Sequence, residues 1–222
     1  MPRTFFASET MTYVLAIGLV GGLVNLYQMT DWYRLPDDQQ GYEPKQPIAY
    51  SHQQHAGELT IDCRYCHNDV DKGRVAGIPP GNVCMNCHKA VRATQGELKA
   101  EEEAAAKENR KPEPIVSTEL AKLYAMLGLG ADLEPDPNSK ADGIHWIRVH
   151  NLPDYVVFDH RAHITVGVDC KECHGDVRQM RRIRQEESLA MGWCVNCHRD
   201  ANRNGVNGNP VYASTDCAVC HH

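Results

Sequence analysis

Residues 50–67 read YSHQQHAGELTIDCRYCH, and residues 158–174 read FDHRAHITVGVDCKECH. Each stretch sets a His-x-x-His pair ahead of a C-x-x-C-H motif. A second C-x-x-C-H follows in both places: Cys84-Met-Asn-Cys87-His88 and Cys194-Val-Asn-Cys197-His198. The chain is therefore an internal repeat, with an offset of 108 residues from His52 to His160. A fifth motif, Cys217-Ala-Val-Cys220-His221, lies beyond the repeat. These five motifs account for all 10 cysteines.

C-x-x-C-H is the signature of covalent c-type haem attachment. Two vinyl groups on one porphyrin edge become thioethers, and cysteines three apart on a helical turn share the face that reaches that edge. The adjoining histidine then supplies an axial nitrogen to iron. A zinc half-site or a redox dithiol needs neither a histidine after every second cysteine nor five copies. Five covalent haem c groups are expected, attached at Cys63, Cys66, Cys84, Cys87, Cys170, Cys173, Cys194, Cys197, Cys217 and Cys220.

His67, His88, His174, His198 and His221 are the expected proximal ligands. If each iron takes two imidazoles, five more must come from His52, His55, His145, His150, His160, His163 and His222. His52 and His55 are expected to face the first two haems, and His160 and His163 the third and fourth. Which member of each pair serves which iron is open. The fifth iron draws on His150 or His145, with His150 preferred because the turn before Pro153 holds it. Met180 and Met191 are the competing sixth ligands. With all five motifs ending in histidine and distal candidates in surplus, no iron is expected to be open and no catalytic residue is assigned.

The remainder of the chain supports this reading. Aromatic residues are only 7% of 222, thin for an ordinary core, so macrocycles wrapped by short helices and loops are expected to form the interior. The expected fold class is mainly α with much irregular loop and little or no sheet. A formal net charge of −6 argues against a nucleic-acid partner. Propionates would make the surface more acidic, favouring a redox partner with a basic patch.

Residues 11–27, MTYVLAIGLVGGLVNLY, carry no charge and approach the length needed to span a bilayer. Phe5 and Phe6 before it, and Tyr27, Trp32 and Tyr33 at its far end, suit the two interfacial belts. Gly18, Gly21 and Gly22 would admit a neighbouring helix. No small-x-small cleavage site follows Tyr27, so an uncleaved anchor is expected. Arg3 and the amino terminus, partly offset by Glu9, place the N-terminus in the cytoplasm and the haem region on the opposite side.

The expected organisation is an anchor over 1–29, a Pro-containing linker over 30–47 and a pentahaem domain over 48–222. Within that domain lie two-haem modules at about 48–92 and 144–200, a helical insert over 93–143 and the fifth haem over 201–222. The insert should hold a charged helix from Glu97 to Lys111. A second helix should be capped by Ser117 and stop at Gly128.

The chain resembles the membrane-anchored pentahaem cytochrome c subunit of alternative complex III, within the wider class III type of multihaem cytochromes. The likeness is carried by the lone N-terminal helix, IAYSHQQHAGELTIDCRYCHNDV (48–70) and PPGNVCMNCHKAV (79–91). It continues through IHWIRVHNLPDYVVFDHRAHITVGVDCKECHGDV (144–177), MGWCVNCHR (191–199) and CAVCHH (217–222). The resemblance implies an electron-transfer subunit of a quinol-oxidising complex in a bacterial inner membrane, its haem domain on the periplasmic side. It implies polytopic quinol-binding subunits, an iron–sulfur molybdopterin-enzyme-like subunit and a monohaem cytochrome c as neighbours. Electrons would leave to a cytochrome or a terminal oxidase. The competing readings are a self-contained membrane-anchored quinol dehydrogenase, a multihaem reductase, and a storage or scaffolding haem protein.

Overall fold

The computed structural model describes residues 4–29 and 39–221, with side chains of the first helix described from Thr10 to Tyr27. Arg3, Trp32, Tyr33, residues 30–38 of the linker and His222 lie outside the described residues, as do the side chains of Phe5, Phe6 and Glu9.

Helix α1 runs Thr4–Met29. Its Thr10–Tyr27 window has mean hydropathy 1.5 and none of it is buried. It is long and apolar enough to cross a membrane, which supports a single-pass anchor. Gly18, Gly21 and Gly22 face open space, so a helix from another chain meets no side chain there.

The rest of the described chain is short helices joined by loops. A π-helical turn, Gln53–Glu58, carries His55. Then come α2 (Cys63–Cys66), α3 (Gly81–His88), α4 (Gln95–Lys107) and α5 (Thr118–Met126). The second half holds α6 (His160–Thr165), α7 (Lys171–His174), α8 (Met191–Asn204) and α9 (Cys217–Cys220). Among the described residues there is no β-sheet, only isolated bridges such as Val156 with His221.

Both insert helices form, with shifted ends. Helix α4 starts earlier than expected because Thr94 and Glu97 make a reciprocal capping box. It ends before Lys111, where Asn109 turns into the left-handed region at φ 52°. Ser117 caps α5, its hydroxyl accepting from the Leu120 N–H, and the chain turns away at Gly128, φ +74°.

Few side chains are buried. Among the described residues the buried hydrophobics are Ile48, Ala56, Val70, Ala105, Leu123, Tyr124 and Val149. The chain of 24.9 kDa exposes 16430 Å². A compact chain of that mass exposes roughly 10,000 Å². The bare anchor helix supplies part of the excess, but residues 48–221 also bury too little to make a conventional interior. Among the described residues one buried hydrophobic cluster joins α5 to the segment before the first motif: Ile48, Leu123 and Tyr124, with Cys84, Met85 and Trp146 packed against them.

Candidate haem-binding sites

The five attachment motifs fall on two kinds of support. At Cys63, Cys170 and Cys217 the preceding residue is Asp. Asp62 accepts from the Arg64 N–H at 2.8 Å, Asp169 from Lys171 at 3.0 Å and Asp216 from Ala218 at 3.0 Å. Each carboxylate satisfies an orphan N–H and starts the single helical turn that aligns the two sulfurs. Cys84 and Cys194 instead sit a turn inside the longer α3 and α8, whose starts at Pro80 and Ala190 lack a side-chain cap. Reading the motifs alone missed the aspartates, although Asp-C-x-x-C-H is visible three times in the chain.

None of the ten cysteines forms a disulfide. Burial pushes the Cys66, Cys84, Cys170 and Cys194 thiols up, and raises Cys173 to about 11, with neighbouring thiols adding to it. A redox-active C-x-x-C needs the opposite, a thiol lowered toward thiolate. Among the described residues no cluster of three or more His, Cys, Asp or Glu is arranged to hold a bare metal ion.

The histidines are oriented through the backbone. His67 Nδ1 lies 2.6 Å from the Gly77 carbonyl, His88 Nδ1 2.8 Å from Val91, and His198 Nδ1 2.6 Å from Ser214. His55, His160 and His163 do the same with Ser51 (2.9 Å), Arg74 (2.8 Å) and Asp159 (2.8 Å). A carbonyl only accepts, so each Nδ1 carries the proton and each Nε2 keeps a lone pair. That is the tautomer an axial ligand needs.

Three pairs of histidine rings, each joining a distal candidate to a motif histidine, lie close together, at interplanar angles of 65°, 8° and 40°. Ring centroids are 6.0 Å apart for His55 and His88, 6.3 Å for His160 and His174, and 5.9 Å for His163 and His198. With metal–imidazole bonds of about 2 Å and ring nitrogens roughly 1.1 Å from their centroids, imidazoles on opposite sides of one iron have centroids about 6 Å apart. The spacing and the tautomers fit the group that the motifs imply.

An aromatic ring two residues before each His pair repeats the same packing. Tyr50 stacks on His55 at 4.4 Å and meets His52 edge-on at 4.9 Å. Phe158 stacks on His163 at 4.5 Å and meets His160 edge-on at 4.8 Å. His52 is driven down to about 4 by burial, helped by His67 and His55, and its Nδ1 is buried without a hydrogen-bond partner. A neutral imidazole is the form that binds a metal ion.

The candidates for the fifth iron are placed differently. His150 Nε2 lies 3.2 Å from His174 Nδ1, with the rings 4.3 Å apart and nearly perpendicular. Sequence reading preferred His150 over His145 for the iron of His221; here the His150 ring lies against His174 of the third motif. Burial lowers His150 to about 4 and His174 to about 3, so both rings are neutral. His145 is exposed and pairs with Asp142 at 3.0 Å. The ring beside His221 is Tyr155, at 5.8 Å. Met191 is exposed, and the Met180 carbonyl accepts from Gln53.

A backbone carrying paired, carbonyl-oriented imidazoles between cysteine turns, with almost no core of its own, defines a multihaem c-type cytochrome. The sequence profile described as cytochrome c7 and related cytochrome c matches twice, over residues 48–110 and 156–222. The chain belongs to that family. It is 24% identical to the menaquinone reductase, multiheme cytochrome c subunit of Nitratidesulfovibrio vulgaris, over 92% of this chain and 87% of that one. It is also 24% identical to the high-molecular-weight cytochrome c of the same organism, over 72% of this chain but 33% of that larger protein. Electron transfer by a multihaem cytochrome c is the general function these relations support.

Proposed function

We propose that this chain is the five-haem electron-transfer subunit of a quinone-linked membrane complex, of the alternative complex III kind. The single observation that carries the multihaem reading is the set of three histidine pairs at about 6 Å, five of the six rings holding Nδ1 on a main-chain carbonyl. Haem supplies one-electron chemistry, and an iron with two imidazoles has no position left for substrate.

The cysteines of the five motifs hold the groups, and His67, His88, His174, His198 and His221 are the proximal ligands. By the repeat, the second histidine of each pair serves the second motif, so His55 goes with His88 and His163 with His198. The first serves the first motif, His160 with His174 and His52 with His67. His150 serves as the outer partner of His174. The chain divides at about 48–92 and 144–200 into modules, with residues 93–143 as insert and 201–222 holding the fifth site.

Quinol oxidation is assigned to polytopic partner subunits. An iron–sulfur subunit, a monohaem cytochrome and an acceptor cytochrome or oxidase complete the proposed path. The haem domain is placed on the periplasmic side of a bacterial inner membrane. The name of the menaquinone reductase relative favours a second reading with the same parts and opposite direction, electrons flowing toward the quinone. Purifying the chain with its membrane partners tests both. Five haems per chain, low-spin at the four sites given a distal histidine, with quinol-dependent reduction support the proposal; quinone reduction by an external donor supports the second reading. A high-spin, cyanide-binding iron at any of those four sites at full haem occupancy points instead to a reductase.

A further inference from the structure

The two halves grip each other in the same way twice. The Gln53 N–H, one residue past His52, donates to the Met180 carbonyl at 2.9 Å, and Met180 lies six residues after His174. The Arg161 N–H, one residue past His160, donates to the Gly73 carbonyl at 3.2 Å, and Gly73 lies six residues after His67. Equivalent donors thus meet equivalent acceptors with the halves exchanged. Exchange of this kind is the mark of an isologous, two-fold contact, ordinarily seen between two copies of a chain.

Further bonds tighten it. The His160 N–H and Nδ1 both reach the Arg74 carbonyl, at 3.2 and 2.8 Å, and the Arg181 guanidinium donates to the Gln53 side chain at 3.1 Å. Gly57 is where the backbones come closest. A Cβ on Gly57 would stand 2.4 Å from the Arg178 carbonyl oxygen, a distance no side chain tolerates.

We infer that the chain is a two-site module folded head to head against its own duplicate, and that this contact sets the attachment sites in the spatial order 2–1–3–4–5. The first site of each module borders the contact. The His160 ring, 6.3 Å from His174 of site 3, is held by the Arg74 carbonyl just past His67 of site 1. Away from the contact, site 2 leans on site 1, with Asn86 donating to the Tyr65 hydroxyl at 3.0 Å. Sites 3 and 4 share the α6 ligands His160 and His163. Site 5 is tied to site 4, because His198 reaches Ser214, and Asn202 brackets Ala213 with bonds of 2.7 and 2.8 Å.

The inference rests on the proposed haem attachment, and the experiment separates the two. Anomalous scattering at the iron edge from crystals of the holoprotein locates each iron against its motif. Irons absent from the motifs would defeat the haem reading itself. With five present, sites 1 and 3 should be the closest pair across the halves and sites 2 and 5 outermost; any other order overturns the inference. Gly57→Ala gives a second measurement in solution. It should weaken the magnetic coupling between the ferric irons of sites 1 and 3 while the spin state of every haem is unchanged. Unchanged coupling would remove Gly57 and its contact as the junction. If that variant does not accumulate, the iron map alone decides.

Discussion

A neutral imidazole has one nitrogen that donates and one that accepts, and here main-chain carbonyls decide which is which. Six of the histidines around the attachment motifs spend Nδ1–H on a carbonyl and keep Nε2 for metal. Replacing His163 by Ala should therefore turn one low-spin iron high-spin. The high-spin ferric signal in electron paramagnetic resonance is the measure, and His145→Ala should leave the spectrum untouched. His150 is the informative exception: its Nε2 lies 3.2 Å from His174 Nδ1, and with His174 Nε2 on iron the proton sits on Nδ1 and His150 accepts it. Accepting that proton makes His174 a more basic ligand, which favours ferric iron and lowers the potential. Losing such an outer partner changes metal affinity about tenfold or more, so His150→Ala should raise one potential by on the order of 60 mV for a one-electron couple. The spin state of every iron should be unchanged in a redox titration of that variant; a new high-spin iron would instead make His150 an axial ligand. Counting histidines supplied the candidate ligands. The pairing was not legible, because it depends on which carbonyl lies within reach of each ring, and Gly77, Arg74 and Ser214 are distant in sequence from the rings they orient.

At the scale of elements, the insert reads as packing that supports the second site. Tyr124 on α5 is 1% exposed, and its hydroxyl donates to the His88 carbonyl at 2.5 Å. Tyr124→Phe keeps the ring but strands that carbonyl, which should cost about 1–3 kcal/mol in denaturant unfolding. The haem spectrum should stay low-spin, since His88 keeps its bond to Val91. Helix α4 is fastened to the loop after it by one carboxylate. The Arg110 guanidinium, aided by the Glu113 N–H, holds Glu101 down at about 2. The folded pKa lies below the ordinary 4.5, so the stabilisation is complete above that value and is lost as pH falls toward 2. The carboxyl signal of Glu101 followed by NMR should show a midpoint near 2, and Arg110→Ala should return it to the ordinary range. Both helices were legible from their polar starts and alanine- or leucine-rich faces. Their ends were not: Thr94 moved the start of α4 forward, and the left-handed turn at Asn109 leaves no mark in the hydrophobic pattern.

At the scale of the whole molecule, the repeat was plain from the sequence, while the exchange of contacts between its halves was hidden in backbone bonds that any residue can make. The shortage of aromatic side chains has a thermodynamic consequence. Ordering a residue costs about 1–2 kcal/mol of backbone entropy, and apolar burial must offset it. Seven buried hydrophobic side chains among the described residues are far too few to order the region after the anchor. The covalent groups must supply the missing apolar contact, and they do so only when attached. A chain lacking residues 1–29 and made where no haem is attached should therefore have no cooperative unfolding transition. Hydrogen exchange should show protection at most around Ile48, Leu123 and Tyr124, where side chains alone make a core. The same chain made with haem attached should unfold in one steep transition and protect the α6 and α8 amides. A cooperative transition without haem would mean that the polypeptide carries its own core, and the reading of the macrocycles as the interior would fall.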